Sequence, residues 1–400
     1  MKVEIKPCRA EGVAPAPPSK SVAHRALICA ALTSGSVVRN VDMSNDISAT
    51  LSCLEALGAK VEIRGKDVYL GTLDPRKTPS CVLDCGESGS TLRFILPLCL
   101  ISGSEITLRG TEKLLSRPLE EYEELCRERG FVFEKFSDGV KVSGKLTPGD
   151  YSVSMEKSSQ FTTGLLTALS SLDGESRIHV TGKAESASYV DITLSVMSAF
   201  GKNVEKTDDG YLIKRESHFI PEDYTVEGDC SNAAFLEALN FVGGNVTVTG
   251  LSPETEQGDR VYPDLFEKIR RGKTADVSDC PDLAPILFAL AAYQGGGKFT
   301  GTKRLVYKES DRSSAMKEEL SAFGVTLDVS ENSVTVNGIL HRPDRVLMSH
   351  NDHRIAMSLA VLCTVTGGEI DQAEAVNKSY PGFFGDIAKL GIEVTSNDTR

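Results

Sequence analysis

No stretch of this chain is apolar for long enough to cross a bilayer, which takes about 20 residues as a helix. Leu92 to Ile101 is too short for it. The opening residues Met1-Lys2-Val3-Glu4-Ile5 read as a strand and lack the basic start and apolar run of a signal peptide. Ten cysteines are present without a CxxC pair, which argues against a redox motif or a zinc knuckle. Cys29, Cys53, Cys99 and Cys363 fall inside apolar helical patterns and read as reduced core thiols, so a cytoplasmic protein is expected. The sequons at Asn377-Lys378-Ser379 and Asn397-Asp398-Thr399 carry no weight without secretion. GxxxxGK[ST] and GxGxxG are absent, and no nucleophile elbow is visible. Excess positive charge is missing too. Lys and Arg number 44 against 56 Asp and Glu, a net charge of −12. That balance argues against nucleic-acid or acidic-membrane binding, but it leaves room for a small anion held by a local group of cations. His350 and His353 flank Asp352, yet no Cys or further His pattern completes a set of ligands, so no metal is expected.

What is present is a repeat. Six apolar segments open with a polar cap and close on Gly35, Gly103, Gly174, Gly243, Gly295 and Gly367. Each is followed by a short strand and then an amphipathic helix that also ends in Gly, such as Leu51/Leu54/Leu57 before Gly58. A strand-turn-strand follows most of these. The interval from Gly243 to Gly295 is the shortest, so the fourth repeat is expected to be trimmed of its hairpin. At 400 residues, six repeats predict two domains of three. A switch near Tyr224 to Gly228 divides them, and Val3 to Ile5 is expected to return to the second half.

The starts of the six apolar segments hold the chemistry. They are Pro17 to Arg25, Cys85 to Arg93, Glu156 to Phe161, Gly228 to Asn232, Ser278 to Asp282 and Asn351 to Arg354. Free N–H groups at a helix start attract anions, and Lys or Arg stands beside several of these starts. Small residues around Gly89 would let an anion approach the backbone. Lys308-Glu309-Ser310-Asp311-Arg312 adds another start, capped by Ser310 or Asp311, before a helix with Met316, Leu320 and Phe323 on one face and a stop at Gly324. Glu309 is out of place in a pure anion site, because it repels what its neighbours attract. It is suited to moving a proton beside a bound phosphate or carboxylate.

Pro18-Ser19-Lys20-Ser21 with His24-Arg25, Gly89-Ser90-Thr91-Leu92-Arg93, Ser158-Ser159-Gln160-Phe161, Lys308 to Arg312 and Asp352-His353-Arg354 together closely resemble the 5-enolpyruvylshikimate-3-phosphate (EPSP) synthases. These motifs span nearly the whole chain in the same order. The resemblance implies an inside-out α/β barrel of two domains, each of three βαβαββ units with pseudo-threefold symmetry. The expected division is 1–18 plus 226–400 against an inserted 19–225, with the active site in the cleft between them. It implies transfer of the carboxyvinyl group of phosphoenolpyruvate to the 5-hydroxyl of shikimate 3-phosphate, with release of phosphate. It also implies inhibition by glyphosate at the phosphoenolpyruvate site.

Residue by residue, the resemblance places Lys20, Gly89, Arg93, Arg117, Gln160, Arg312, Arg354 and Lys378 around phosphoenolpyruvate. Ser21, Arg25, Ser158, Ser159, Gln160, Ser186, Tyr189, Asp282, Arg304 and Lys308 belong on the shikimate 3-phosphate side. Asp282 would take the hydroxyl proton, and Glu309 with Lys20 would handle the methylene proton. No cofactor or metal is needed, and a monomer acting on these two small molecules is expected. Glu87 and Arg304 depart from residues common in the family, where Asn is frequent. Two alternatives share parts of this pattern. One is the sister reaction on UDP-N-acetylglucosamine, whose usual loop cysteine has no counterpart in Ser104 to Glu120. The other is a non-catalytic anion-binding protein, which would do better without Asp282 and Glu309.

Overall fold

Apolar segments behind polar starts become helices with no solvent face. The computed structural model of the protein describes residues 1–182 and 186–397; Asp398 and Thr399 of the second sequon lie outside these. The six apolar segments form the helices Lys20–Ala31, Gly89–Cys99, Gln160–Ser170, Cys230–Phe241, Ala284–Gln294 and His353–Thr366. In Ala284–Gln294 every residue from Ala284 to Ala292 is buried. A helix that is apolar all round belongs inside a fold, and these six do. The second helix of each repeat is amphipathic instead: Asn45–Ala56 buries Ile47, Leu51 and Leu54 on one side. Cys29, Cys53, Cys99 and Cys363 are buried free thiols in these helices.

The chain forms two compact units, Pro18–Glu227 and Met1–Pro17 with Gly228–Arg400. In the first unit, three four-stranded sheets share one order. Cys81–Asp84 and Ile106–Arg109 run parallel, with the Gly89–Cys99 helix as the crossover that parallel strands require. Gly139–Ser143 then pairs antiparallel with Ile106–Arg109, and Val132–Phe136 completes the hairpin. Asp150–Ser154, Ser176–Thr181, Gly210–Ile213 and Val204–Thr207 repeat this pattern. In the remaining sheet the leading strand is Asp223–Thr225, from the far end of the unit, parallel to Ser36–Arg39. The cycle therefore closes on its own first strand.

The second unit closes differently. Lys2–Ile5 lies between Gly368–Asp371 and Val394–Asn397, antiparallel to both. Among the described residues Glu11–Pro15 pairs only with Asn245–Thr249, in a sheet of two strands. Its hairpin is missing because the chain leaves the Tyr262–Arg270 helix and goes directly into Ala275–Asp276, which begins the next sheet. This is the trimmed fourth repeat. The result is an α/β fold of the inside-out kind, with apolar helices within each unit and strands that alternate between buried and exposed positions, as in Asp150–Ser154.

Candidate functional site

Asp282 sits at the middle of a cationic group in the second unit. Arg312 Nη1 donates to its Oδ1 at 2.7 Å, Lys308 Nζ lies 3.1 Å from the same oxygen, and Arg354 Nη2 donates to Oδ2 at 3.1 Å. Burial pushes the Asp282 carboxyl up, but the charges of Arg354, Lys308 and Arg312 outweigh it and hold the group well below the usual carboxylate range. The same arginine serves two more carboxylates. Arg312 Nη2 donates to Glu309 Oε2 at 2.9 Å and Nε to Asp352 Oδ2 at 2.9 Å. Its side chain is 1% exposed. Such a buried charge is tolerated only when it is paired and bonded in this way. Asp352 caps the His353–Thr366 helix through the Arg354 N–H and also accepts from Ser310 Oγ, which ties two helix starts together.

Burial, against the opposing charge of Asp282, lowers the Lys308 ammonium below the usual lysine range. Arg354 keeps two buried donors, Nε and Nη1, without a hydrogen-bond partner among the described residues. Lys378 Nζ donates to the Asn351 carbonyl, and Arg304 Nη2 donates to the Ser278 carbonyl at 2.6 Å. His350 and Asn351 both have positive φ, 52° and 53°, so the turn before Asp352 is held in a conformation that L-residues seldom take.

The first unit gathers a different set. Arg93 Nη1 donates to Gln160 Oε1 at 2.7 Å, and Gln160 Nε2 donates to Ser90 Oγ at 3.0 Å. This joins the starts of the Gly89–Cys99 and Gln160–Ser170 helices. The Arg117 guanidinium lies over Gly89, where a Cβ would come within 2.6 Å of Nη1. Lys20, first residue of its helix behind the cap Ser19, pairs with Asp46 at 2.7 Å. Arg25 is buried and committed to the protein: Nε to Thr193 Oγ1, Nη1 to the Ser21 carbonyl and Nη2 to the Tyr189 carbonyl. Burial pushes its guanidinium down to about 10. Ser158 Oγ accepts from the Gln160 N–H, while Ser159 is buried at the N-cap and makes no side-chain cap bond. Ser186 is buried at a left-handed N-cap with φ 57°.

Of two expectations about helix starts, the first is met by one of its two candidates and the second needs correction. Asp311 caps the helix Arg312–Ala322 through the Ser314 N–H, while Ser310 turns to Asp352. The start expected at Ser278 to Asp282 falls later, with Leu283 at the N-cap and no side-chain bond, because the Asp282 carboxylate is drawn to three cations instead. Asp46 escaped the sequence reading. It stands near a helix start, where an Asp reads as a cap, and nothing in the sequence tells a cap from a buried partner of Lys20. His350 meets Glu319 at 2.9 Å rather than His353, and Glu318 stands nearby. Arg345 shares the Glu319 carboxylate, so this group is an ion-pair network.

Comparison with known proteins identifies the family. A family model for EPSP synthase (3-phosphoshikimate 1-carboxyvinyltransferase) matches residues 6–271 and 264–387. The 3-phosphoshikimate 1-carboxyvinyltransferase of Clostridium kluyveri is 38% identical over 416 residues, covering 98% of each chain. That of Clostridium novyi is 36% identical over 425 residues, covering 97% of each. Among solved structures, an EPSP synthase from Acinetobacter baumannii superposes with a TM-score of 0.79 at 22% identity, covering 99% of this chain and 100% of that one. The enolpyruvyl transferase NikO from Streptomyces tendae gives 0.73 at 16% identity, covering 98% of each chain. With relatives this similar along nearly the whole length, and the same fold throughout, the chain belongs to the EPSP synthase family.

Proposed function

We propose that the protein transfers the carboxyvinyl group of phosphoenolpyruvate to the 5-hydroxyl of shikimate 3-phosphate, as a transferase of aromatic amino-acid biosynthesis. The observation that carries this reading is Asp282 and Glu309 sharing one arginine inside a cationic group. A protein that only binds phosphate gains nothing from two carboxylates there. A reaction that removes one proton and adds another needs both.

In the addition step the 5-hydroxyl oxygen attacks C2 of phosphoenolpyruvate while C3 gains a proton. In the elimination step C3 loses a proton and the bond from C2 to the phosphate oxygen breaks. Asp282 takes the hydroxyl proton, and Glu309 serves the C3 proton. Without substrate, three cations make Asp282 a weak base. When the anions of the substrates draw on Arg354, Arg312 and Lys308, that restraint loosens and Asp282 becomes basic enough to act. Arg354 is suited to the donor because its Nε and Nη1 keep hydrogen-bond capacity that the contact of Nη2 with Asp282 does not use. Arg93, Arg117, Arg312, Lys378 and Lys20 add positive charge for phosphoenolpyruvate, with the Gly89 backbone and Gln160. Ser21, Arg25, Ser158, Ser159, Ser186, Tyr189, Arg304 and Lys308 serve shikimate 3-phosphate. No helix among the described residues is long and apolar enough to cross a membrane. Separately, the family resemblance leads us to propose a monomer acting in the cytoplasm.

The test is phosphate release with phosphoenolpyruvate and each acceptor in turn. Release is expected with shikimate 3-phosphate and not with UDP-N-acetylglucosamine. Asp282→Asn keeps the shape and should bind both ligands while losing more than about 100-fold in kcat. Release with the sugar nucleotide, or near-normal turnover by the variant, would overturn the assignment.

A further inference from the structure

Glu319 is a fully buried carboxylate that the proposed chemistry leaves without a role. It lies on the Arg312–Ala322 helix, about two turns beyond Arg312. Arg345 Nη1 donates to its Oε2 at 3.1 Å, the Met348 N–H donates to Oε2 at 2.9 Å, and His350 Nε2 meets Oε1 at 2.9 Å. Burial pushes the carboxyl up, but the bonds from His350, Met348 and Arg345 outweigh it and keep it below its usual range. An ionised carboxylate only accepts, so His350 Nε2 carries the proton of their bond.

One helix thus holds a short turn at two points. Glu319 takes His350, and Arg312 Nε donates to Asp352 Oδ2 at 2.9 Å. Between these points lies Asn351, whose carbonyl accepts from Lys378 Nζ. On the other side Ser349 Oγ donates to the Gln372 carbonyl at 2.8 Å, just ahead of the stretch Ala373–Lys378. His350 and Asn351 both stand in the left-handed region, with φ 52° and 53°. Two such residues in succession persist only where the surrounding bonds impose them.

We infer that Glu319 and His350 are positioning residues for Lys378: they fix the turn that presents the Asn351 carbonyl to its ammonium, and so set where that charge stands for phosphoenolpyruvate. This rests on the reading that Lys378 serves the donor. A lysine ammonium is a point charge on a flexible stem, so it stands no more firmly than the acceptor that holds it. Without the His350 bond the turn can relax and carry the Asn351 carbonyl away, while Arg312 and Ser310 still hold Asp352. Binding of the donor then suffers, and the proton transfers at Asp282 and Glu309 do not.

The experiment compares the parent, His350→Ala, His350→Gln, Lys378→Met and the double variant His350→Ala/Lys378→Met. The His350 side chain is 25% exposed, so replacing it should leave the fold intact. His350→Ala should raise KM for phosphoenolpyruvate roughly three- to tenfold, with kcat and KM for shikimate 3-phosphate within about twofold of the parent. His350→Gln keeps a donor toward Glu319 and should restore the parental KM. In the Lys378→Met background the alanine should add nothing, because the ammonium it acts through is gone. General loosening would instead lower kcat, raise both KM values and add to the effect of Lys378→Met. Without substrates, hydrogen exchange at the Asn351 and Asp352 amides should quicken in His350→Ala and stay slow in His350→Gln. If the alanine variant does not fold, His350→Asn carries the same expectations: it tolerates the left-handed backbone but is too short to reach Glu319. A parental KM for phosphoenolpyruvate in His350→Ala while Lys378→Met raises it, an additive double variant, or unchanged exchange would each overturn the inference. A parental KM in Lys378→Met would instead remove Lys378 from the donor site, and exchange would still decide whether Glu319 and His350 hold the turn.

Discussion

Arg312 and Gly89 show how much one residue can decide. A planar guanidinium can face three carboxylates at once, and Arg312 does so for Asp282, Glu309 and Asp352. A lysine, with a single point charge on a flexible stem, would not reproduce the arrangement. At Gly89 the missing side chain matters. A Cβ there would lie 2.6 Å from Arg117 Nη1 and 2.9 Å from Cζ. The obstacle is the far end of a flexible side chain, so Gly89→Ala should fold and shift Arg117 aside. We expect KM for phosphoenolpyruvate to rise, because Arg117 is displaced, and inhibition by glyphosate to weaken further, because that ligand is longer and tolerates less crowding. Inhibition constants for parent and variant against varied phosphoenolpyruvate test this. Equal loss for both ligands, or inhibition indifferent to the donor, would refute it. The sequence shows the charged clusters around Lys308 and Asp352, but not that Asp282, Glu309 and Asp352 meet on one guanidinium. Sequence spacing carries no information about a contact made between separate helix starts.

Among the elements, the caps were the most legible. Ser19, Ser88, Asp229, Asp311 and Asp352 each accept from an N–H in the first turn of the helix that follows. That bond depends on local geometry alone, so residue type suffices to find it. Close approach between helices is not local. Gly164, in the middle of Gln160–Ser170, faces the Gly89–Cys99 helix, and a Cβ there would overlap the Arg93 carbonyl and the Tyr122 hydroxyl. Tyr122 Oη donates to that carbonyl at 2.6 Å, so neither atom can easily move away. Gly164→Ala should cost about 1–3 kcal/mol, the usual penalty for overpacking a core. Urea unfolding measures it, and a variant as stable as the parent would show that the two helices can separate freely. Activity should fall with stability, because Arg93 rides on the displaced backbone.

For the whole molecule, the two units differ in how they close. Pro18–Glu227 is continuous and supplies its own closing strand, Asp223–Thr225. Gly228–Arg400 draws two strands, Lys2–Ile5 and Glu11–Pro15, from the other end of the chain. We predict that a fragment of residues 18–227 folds cooperatively, whereas 228–400 alone does not. Thermal unfolding followed by circular dichroism decides this. The prediction fails if 228–400 melts cooperatively, or if 18–227 does not. Without Lys2–Ile5, Gly368–Asp371 and Val394–Asn397 lose the strand that lies between them, and the two-stranded sheet keeps only Asn245–Thr249.

Sequence alone determined the repeat, the buried helices, most caps and the trimmed fourth repeat. Each of these follows from periodicity, apolar content and turn residues within a short window. Tertiary structure decided which carboxylates became partners of which cations. Asp46 looks like a helix-start residue until Lys20 is beside it, and Asp282 looks like a cap until Arg312, Lys308 and Arg354 draw it away. Electrostatic environment depends on distance through space and on loss of water, and neither is written in the order of residues along the chain.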